Sequence, residues 1–99
     1  MMAQTPEKLA KAFKALSNPN RLRVYTEIMQ RQGDGLSAEA GCALSDLMPC
    51  LKIGAPTVSH HIKELVNADL IHVQKNGKFM TCFMHESMRK ELQAFFIGL

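Results

Sequence analysis

Between Leu44 and Ala68 the apolar positions fall on a helical spacing, pause, and resume. Leu44, Leu47, Met48 and Leu51 stand at i, i+3, i+4 and i+7, and Val58, Ile62, Leu65 and Val66 stand at i, i+4, i+7 and i+8. Lys52-Ile53-Gly54-Ala55 separates the two stripes as a short turn with one glycine. Gly54 serves as N-cap of the second helix, and Pro56 sits in its first turn, where a missing N–H costs little. Helices this short do not stand alone, so the pair must share one core, which is the helix-turn-helix pattern. With Val58, Ile62 and Leu65 turned inward, Thr57, Ser59, His60, Lys63 and Asn67 are left facing out. These are hydrogen-bonding side chains with one cation. They gather near the N-terminal half, the end a recognition helix offers to base edges and phosphates. An ordinary solvated helix face has the same composition, so this helix alone does not decide for DNA.

The same patterning places the remaining elements. Thr5 as N-cap and Pro6 at the first helical position predict a helix carrying Leu9, Phe13 and Leu16. Ser17-Asn18-Pro19 breaks the chain, and Asn18 then caps a second helix with a wide apolar arc of Leu22, Val24, Tyr25, Ile28 and Met29. That helix should end before Gly33. The glycine-rich run Gln32 to Gly41 reads as a loop. Leu70 to Val73 and Phe79 to Met84 read as two strands joined at Asn76-Gly77, a strong two-residue hairpin signal. Pairing outward from that turn sets Lys75 opposite Lys78, Val73 opposite Met80 and Ile71 opposite Cys82, with Val73, Met80, Ile71 and Cys82 inward. Opposed lysines at a hairpin tip weaken it unless an anion such as a DNA phosphate lies beside them; otherwise both splay into water. A last helix over about Glu86 to Ile97 carries Met88, Leu92, Phe95 and Phe96. Its two adjacent phenylalanines exceed what a small core absorbs and invite a partner subunit, unless they fold back on the first helix of the same chain.

Composition narrows the class. Ninety-nine residues make one small domain, spanning 1–99 as a single DNA-binding unit in this reading. The formal charge of +3 permits nucleic acid as a partner without demanding it. There is no run of eighteen apolar residues, so no membrane span is expected. The N-terminal stretch lacks a secretory pattern, and three widely spaced cysteines do not make a disulfide framework, so a cytoplasmic location is expected.

In this order of elements the sequence resembles the ArsR/SmtB family of winged-helix transcriptional repressors. The matching residues are Phe13 to Arg23 for the helix-break-helix, Pro56 to Leu65 for the recognition helix, and Leu70-Ile71 through Asn76-Gly77-Lys78 for the wing. The resemblance implies a mainly α fold with a small β-hairpin, in the order α-α-α-α-β-β-α. It implies a homodimer built on the first and last helices, so that Leu9, Phe13 and Leu92 join Phe95 and Phe96 at the interface. It implies double-stranded DNA with a near-palindromic operator as partner, and an effector that releases it. Thr57, Ser59, His60 and Lys63 carry over to groove and phosphate contacts, and Lys75, Asn76 and Lys78 to the wing. Two departures stand out. The usual glycine after the recognition helix is Asp69, and the family's Cys-x-Cys stretch is Ala43-Leu44-Ser45-Asp46-Leu47. His85 and Glu86 also stand without a second ligand set. No metal and no cofactor are therefore expected.

Cys42 and Cys50 remain candidates for a thiol sensor of metalloid or redox state, but two ligands at loose spacing make a weak site, and free cysteine by default packs as a small hydrophobe. Catalysis is not expected: Ser59 beside His60 is no triad, and neither a phosphate-cradling glycine loop nor a zinc-protease motif is present.

Overall fold

A computed structural model describes residues 5–32 and 41–98. Five helices and three strands follow in the order α1 (Pro6–Leu16), α2 (Pro19–Gln32), β1 (Cys42–Ala43), α3 (Leu44–Leu51), α4 (Ala55–Asn67), β2 (Ile71–Asn76), β3 (Phe79–Met84) and α5 (Glu86–Ile97). This is the winged helix-turn-helix arrangement, with one strand more than the sequence pattern predicts. Apart from its two ends, the expected loop between Gln32 and Gly41 lies outside the described residues.

The helix boundaries follow from local chemistry. The Thr5 side chain accepts from the backbone N–H of Lys8, and Pro6 opens α1. Asn18 Oδ1 accepts from the N–H of Arg21 at 3.0 Å and caps α2. Gly54 precedes α4 and Pro56 lies in its first turn. His85 caps α5: its Nδ1 accepts from Met88 N–H at 3.1 Å. Gly54 is the N-cap of α4, as expected, and the turn between α3 and α4 has one left-handed residue. That residue is Lys52, φ 53°, while Gly54 keeps an ordinary negative φ. Asp69, where the family usually has glycine, takes the left-handed conformation, φ 59°, and turns the chain from α4 into β2.

The core is one cluster in which Ile28, Leu47, Leu51, Val58, Leu65, Leu70, Ile71 and Met88 are sealed from solvent. Both stripes of the helix-turn-helix feed it. Gln32, at the C-terminal end of α2, reaches into this core, and its Oε1 accepts from Met84 N–H at 2.7 Å. That bond satisfies a buried backbone donor at the end of β3.

The sheet corrects two expectations. The order is β1-β3-β2, with Cys42 opposite Cys82 and Ala43 opposite Thr81. The wing pairs Asn76 with Phe79, Lys75 with Met80, Val73 with Cys82 and Ile71 with Met84. The loop is thus Gly77-Lys78, one position later than expected, with Gly77 at φ +65°. Lys75 and Lys78 do not oppose each other, so the repulsion that would have called for an anion between them is absent. The inward face survives the change, because moving the turn by one position slides one strand past the other by two residues. Ile71, Val73, Met80 and Cys82 still share that face, and Met84 joins them. An Asn76-Gly77 turn of the favoured type needs positive φ at both residues; of the two Gly77 has it, and Asn76 stays in the ladder opposite Phe79.

Candidate nucleic-acid interface

The outward residues of α4 are where the helical spacing puts them. Thr57, Ser59, His60, Lys63 and Asn67 are exposed, while Val58, Ile62 and Leu65 are buried. Lys75, Asn76 and Lys78 are exposed on the wing. Two clefts run between helix and wing, and Ser59 stands in the wall of both. One, of about 360 Å³, is lined by Ser45 and Met48 of α3, Ser59 of α4, and Lys78, Phe79 and Thr81 of the wing. The other, also about 360 Å³, is lined by Ser59, Lys63 and Val66 of α4 and by Val73, Lys75 and Met80 of the wing. Tertiary structure therefore gathers Ser59, Lys63, Lys75 and Lys78 on one surface: three cations and a hydroxyl. Thr57, His60 and Asn76 are exposed but line neither cleft. Ser45, Phe79 and Thr81 enter the site only through the fold. Their signal in the sequence was weak, because Ser45 precedes the polar helix and the two wing residues depend on the register.

His61, next to this face, points the other way. It is buried, and among the described residues neither ring nitrogen has a hydrogen-bond partner. Burial, then the Arg21 guanidinium and His60, hold its pKa below the ordinary 6.5. The folded chain thus keeps the ring neutral where the unfolded chain has begun to protonate it. Stability is full above the unfolded pKa and falls as pH drops through that value toward the folded one. Urea midpoints of the wild type are expected to decline from about pH 7.5 to 5, and His61→Gln to flatten the decline. Parallel curves for the two proteins would clear His61 of the effect.

Cys42 and Cys50 flank α3, as the sequence places them. Cys42 is buried in β1, whereas Cys50 sits on the far end of α3, in contact with the Arg31 guanidinium, its carbonyl accepting from Arg23 at 3.4 Å. Among the described residues no three His, Cys, Asp or Glu side chains converge as a metal site.

The expected dimer residues divide. Leu9 and Leu92 are already buried within the chain, and Phe13 is half-buried. Phe13 meets Phe95 and Phe96 at ring-centroid distances of 5.3 and 5.8 Å, so the terminal rings do lie on α1. They are not covered by it: Phe95 stays 39%, Phe96 63% and Ile97 76% exposed. A groove of about 610 Å³ beside them is lined by Leu16, Leu22, Tyr25, Met29 and Leu92.

Known proteins share this architecture. A family model described as a helix-turn-helix domain matches residues 16–74. The chain is 37% identical over 81 residues to an arsenical resistance operon repressor of Staphylococcus xylosus, covering 81% of the chain and 69% of that protein. It is 30% identical to an uncharacterized helix-turn-helix-type transcriptional regulator of Methanocaldococcus jannaschii, covering 87% and 88%. Among solved structures, an ArsR family transcriptional regulator superposes with TM-score 0.71 at 26% identity, covering 98% of this chain and 91% of that one. A homodimeric winged helix-turn-helix DNA-binding domain from Mycobacterium bovis shares the fold at 17% identity with TM-score 0.67, covering 99% and 90%. No helix among the described residues is long and apolar enough to cross a membrane.

Proposed function

Because this chain belongs to the ArsR family of winged helix-turn-helix transcriptional regulators, we propose that it acts as a dimeric repressor on a near-palindromic operator. In this reading residues 1–99 form the DNA-binding unit, and two copies set their α4 helices in successive major grooves, about 34 Å apart. The observation that carries the reading is the surface on which Ser59 and Lys63 of α4 meet Lys75 and Lys78 of the wing. The cations suit phosphates, and the N-terminal half of α4 suits base edges.

Selection of bound duplexes from a random pool, followed by titration against salt, tests it. The logarithm of affinity should fall linearly with the logarithm of salt concentration, because phosphate contacts release counterions. Lys75→Ala and Lys78→Ala should each weaken operator and random DNA alike and lower the salt slope by about one. Ser59→Ala and His60→Ala should cost operator binding about 1–3 kcal/mol and leave random DNA nearly unaffected. A pool that yields no preferred sequence, or binding indifferent to salt, would sink the reading in favour of a protein-interaction module.

A further inference from the structure

The two-residue strand β1 faces a cysteine with a cysteine. Cys42 and Cys82 are direct partners in the antiparallel β1–β3 pairing. Directly opposed residues project to the same face, with Cα atoms about 4.5–5.5 Å apart. A disulfide requires about 4.4–6.8 Å, so no strand has to move for the bond to close. Both side chains are buried in the core and both are free thiols. Cys50, on α3, contacts the Arg31 guanidinium of α2 and has no place in the β1–β3 pairing.

We propose that Cys42 and Cys82 are a reversible dithiol–disulfide site that clamps the wing to the strand leading into the helix-turn-helix. The oxidant is a small-molecule disulfide. β1 is an edge strand held by two residue pairs, so it can lift from β3 while β2 and β3 stay paired. Once it lifts, the Cys42 thiol loses its proton and the thiolate attacks one sulfur of the oxidant, forming a mixed disulfide and expelling one small thiolate. As β1 redocks, the Cys82 thiolate attacks the Cys42 sulfur, forming the protein disulfide and expelling the second small thiolate. Two protein thiols are oxidised, one small disulfide is reduced to two thiols, and the two cysteine protons go to the expelled thiolates.

The burial of the pair sets when this happens. It raises the pKa of both thiols, that of Cys82 to about 12, so docked strands keep the pair protonated and unreactive. Opening of β1 is the gate. The closed bond would enclose α3, α4 and β2 in one covalent loop. It would also fix Ala43 and Thr81, which line the cleft between α3 and the wing.

The full chain is incubated with oxidised glutathione, free thiols are alkylated, and the protein is digested without reductant for mass mapping. The expected product is a Cys42–Cys82 cross-link with Cys50 alkylated. Its thermal midpoint should lie above that of the reduced chain by roughly 10 °C, and dithiothreitol should reverse both changes. Cys50→Ser should give the same link. Because wild-type mapping identifies the partners, the test survives if Cys42→Ala or Cys82→Ala fails to fold. A link through Cys50, disulfides between chains, a glutathione adduct that never closes, or an oxidised chain that melts no higher would each overturn the proposal.

Discussion

Phe96→Glu is expected to leave a folded monomer and to weaken operator binding by about 10²–10⁴-fold. The size of the effect comes from linkage. In the proposed dimer each subunit would read one half-site and the second contact would be intramolecular; a monomer would lose that gain without losing any single DNA contact. Phe96 suits the test because it is 63% exposed in the chain, so a carboxylate there meets water and the core is undisturbed. Across a dimer seam the same carboxylate would be buried without a partner, at a cost of several kcal/mol. Phe95→Glu should act in the same direction with more loss of stability, since that ring is less exposed and contacts both Phe13 and Phe96. Sedimentation at micromolar concentration, read with circular dichroism, checks the outcome. A variant that remains dimeric would place the interface elsewhere.

Gly41→Ala is expected to destabilise the fold by about 2–4 kcal/mol, a large share of what a domain of this size has. Two costs add. Gly41 holds φ +70°, where an L side chain is strained by about 1–2 kcal/mol. An added Cβ would also lie 2.6 Å from the Phe83 ring, 2.8 Å from the Thr81 methyl and 2.9 Å from the backbone oxygen of Cys82. The side chains could shift, but the backbone oxygen belongs to the strand that β1 pairs with. Gly77→Ala supplies the comparison, because Gly77 has φ +65° with nothing near its missing Cβ and should show the strain alone. Urea titration of both variants separates the terms; equal losses would mean that the Gly41 contacts relax freely.

That difference between two glycines bears on what the chain disclosed before its fold was known. The helices were legible because their signals are local: the Thr5 and Asn18 caps, the prolines that open α1 and α2, and the apolar stripes of α3 and α4. The polar face of α4 followed from the same spacing. β1 was not legible, since two residues carry no period and their meaning lies in a partner far along the chain. Gly41 looked like any glycine of a loop until β3 stood beside it. The wing turn was misplaced because Asn76-Gly77 and Gly77-Lys78 both offer a glycine able to take positive φ. What separated them was Asn76, which stays in the ladder opposite Phe79 without taking positive φ. The clefts around Ser59 needed both the register and the packing of α4 against the wing, so Ser45, Phe79 and Thr81 came into view last.

The wing register also limits how this hairpin can change length. Inserting two residues at the turn, one on each strand, leaves every existing side chain on its present face and carries the tip outward by about 3.4 Å. Inserting one residue within either strand forces a bulge or turns the rest of that strand over, exchanging Ile71 and Val73 with His72 and Gln74 on the core side. Reach toward the duplex is therefore graduated in residue pairs. Descendants or designs that grip DNA farther from the recognition helix should lengthen the wing by even numbers, with odd insertions surviving only where the Gly77-Lys78 loop absorbs them.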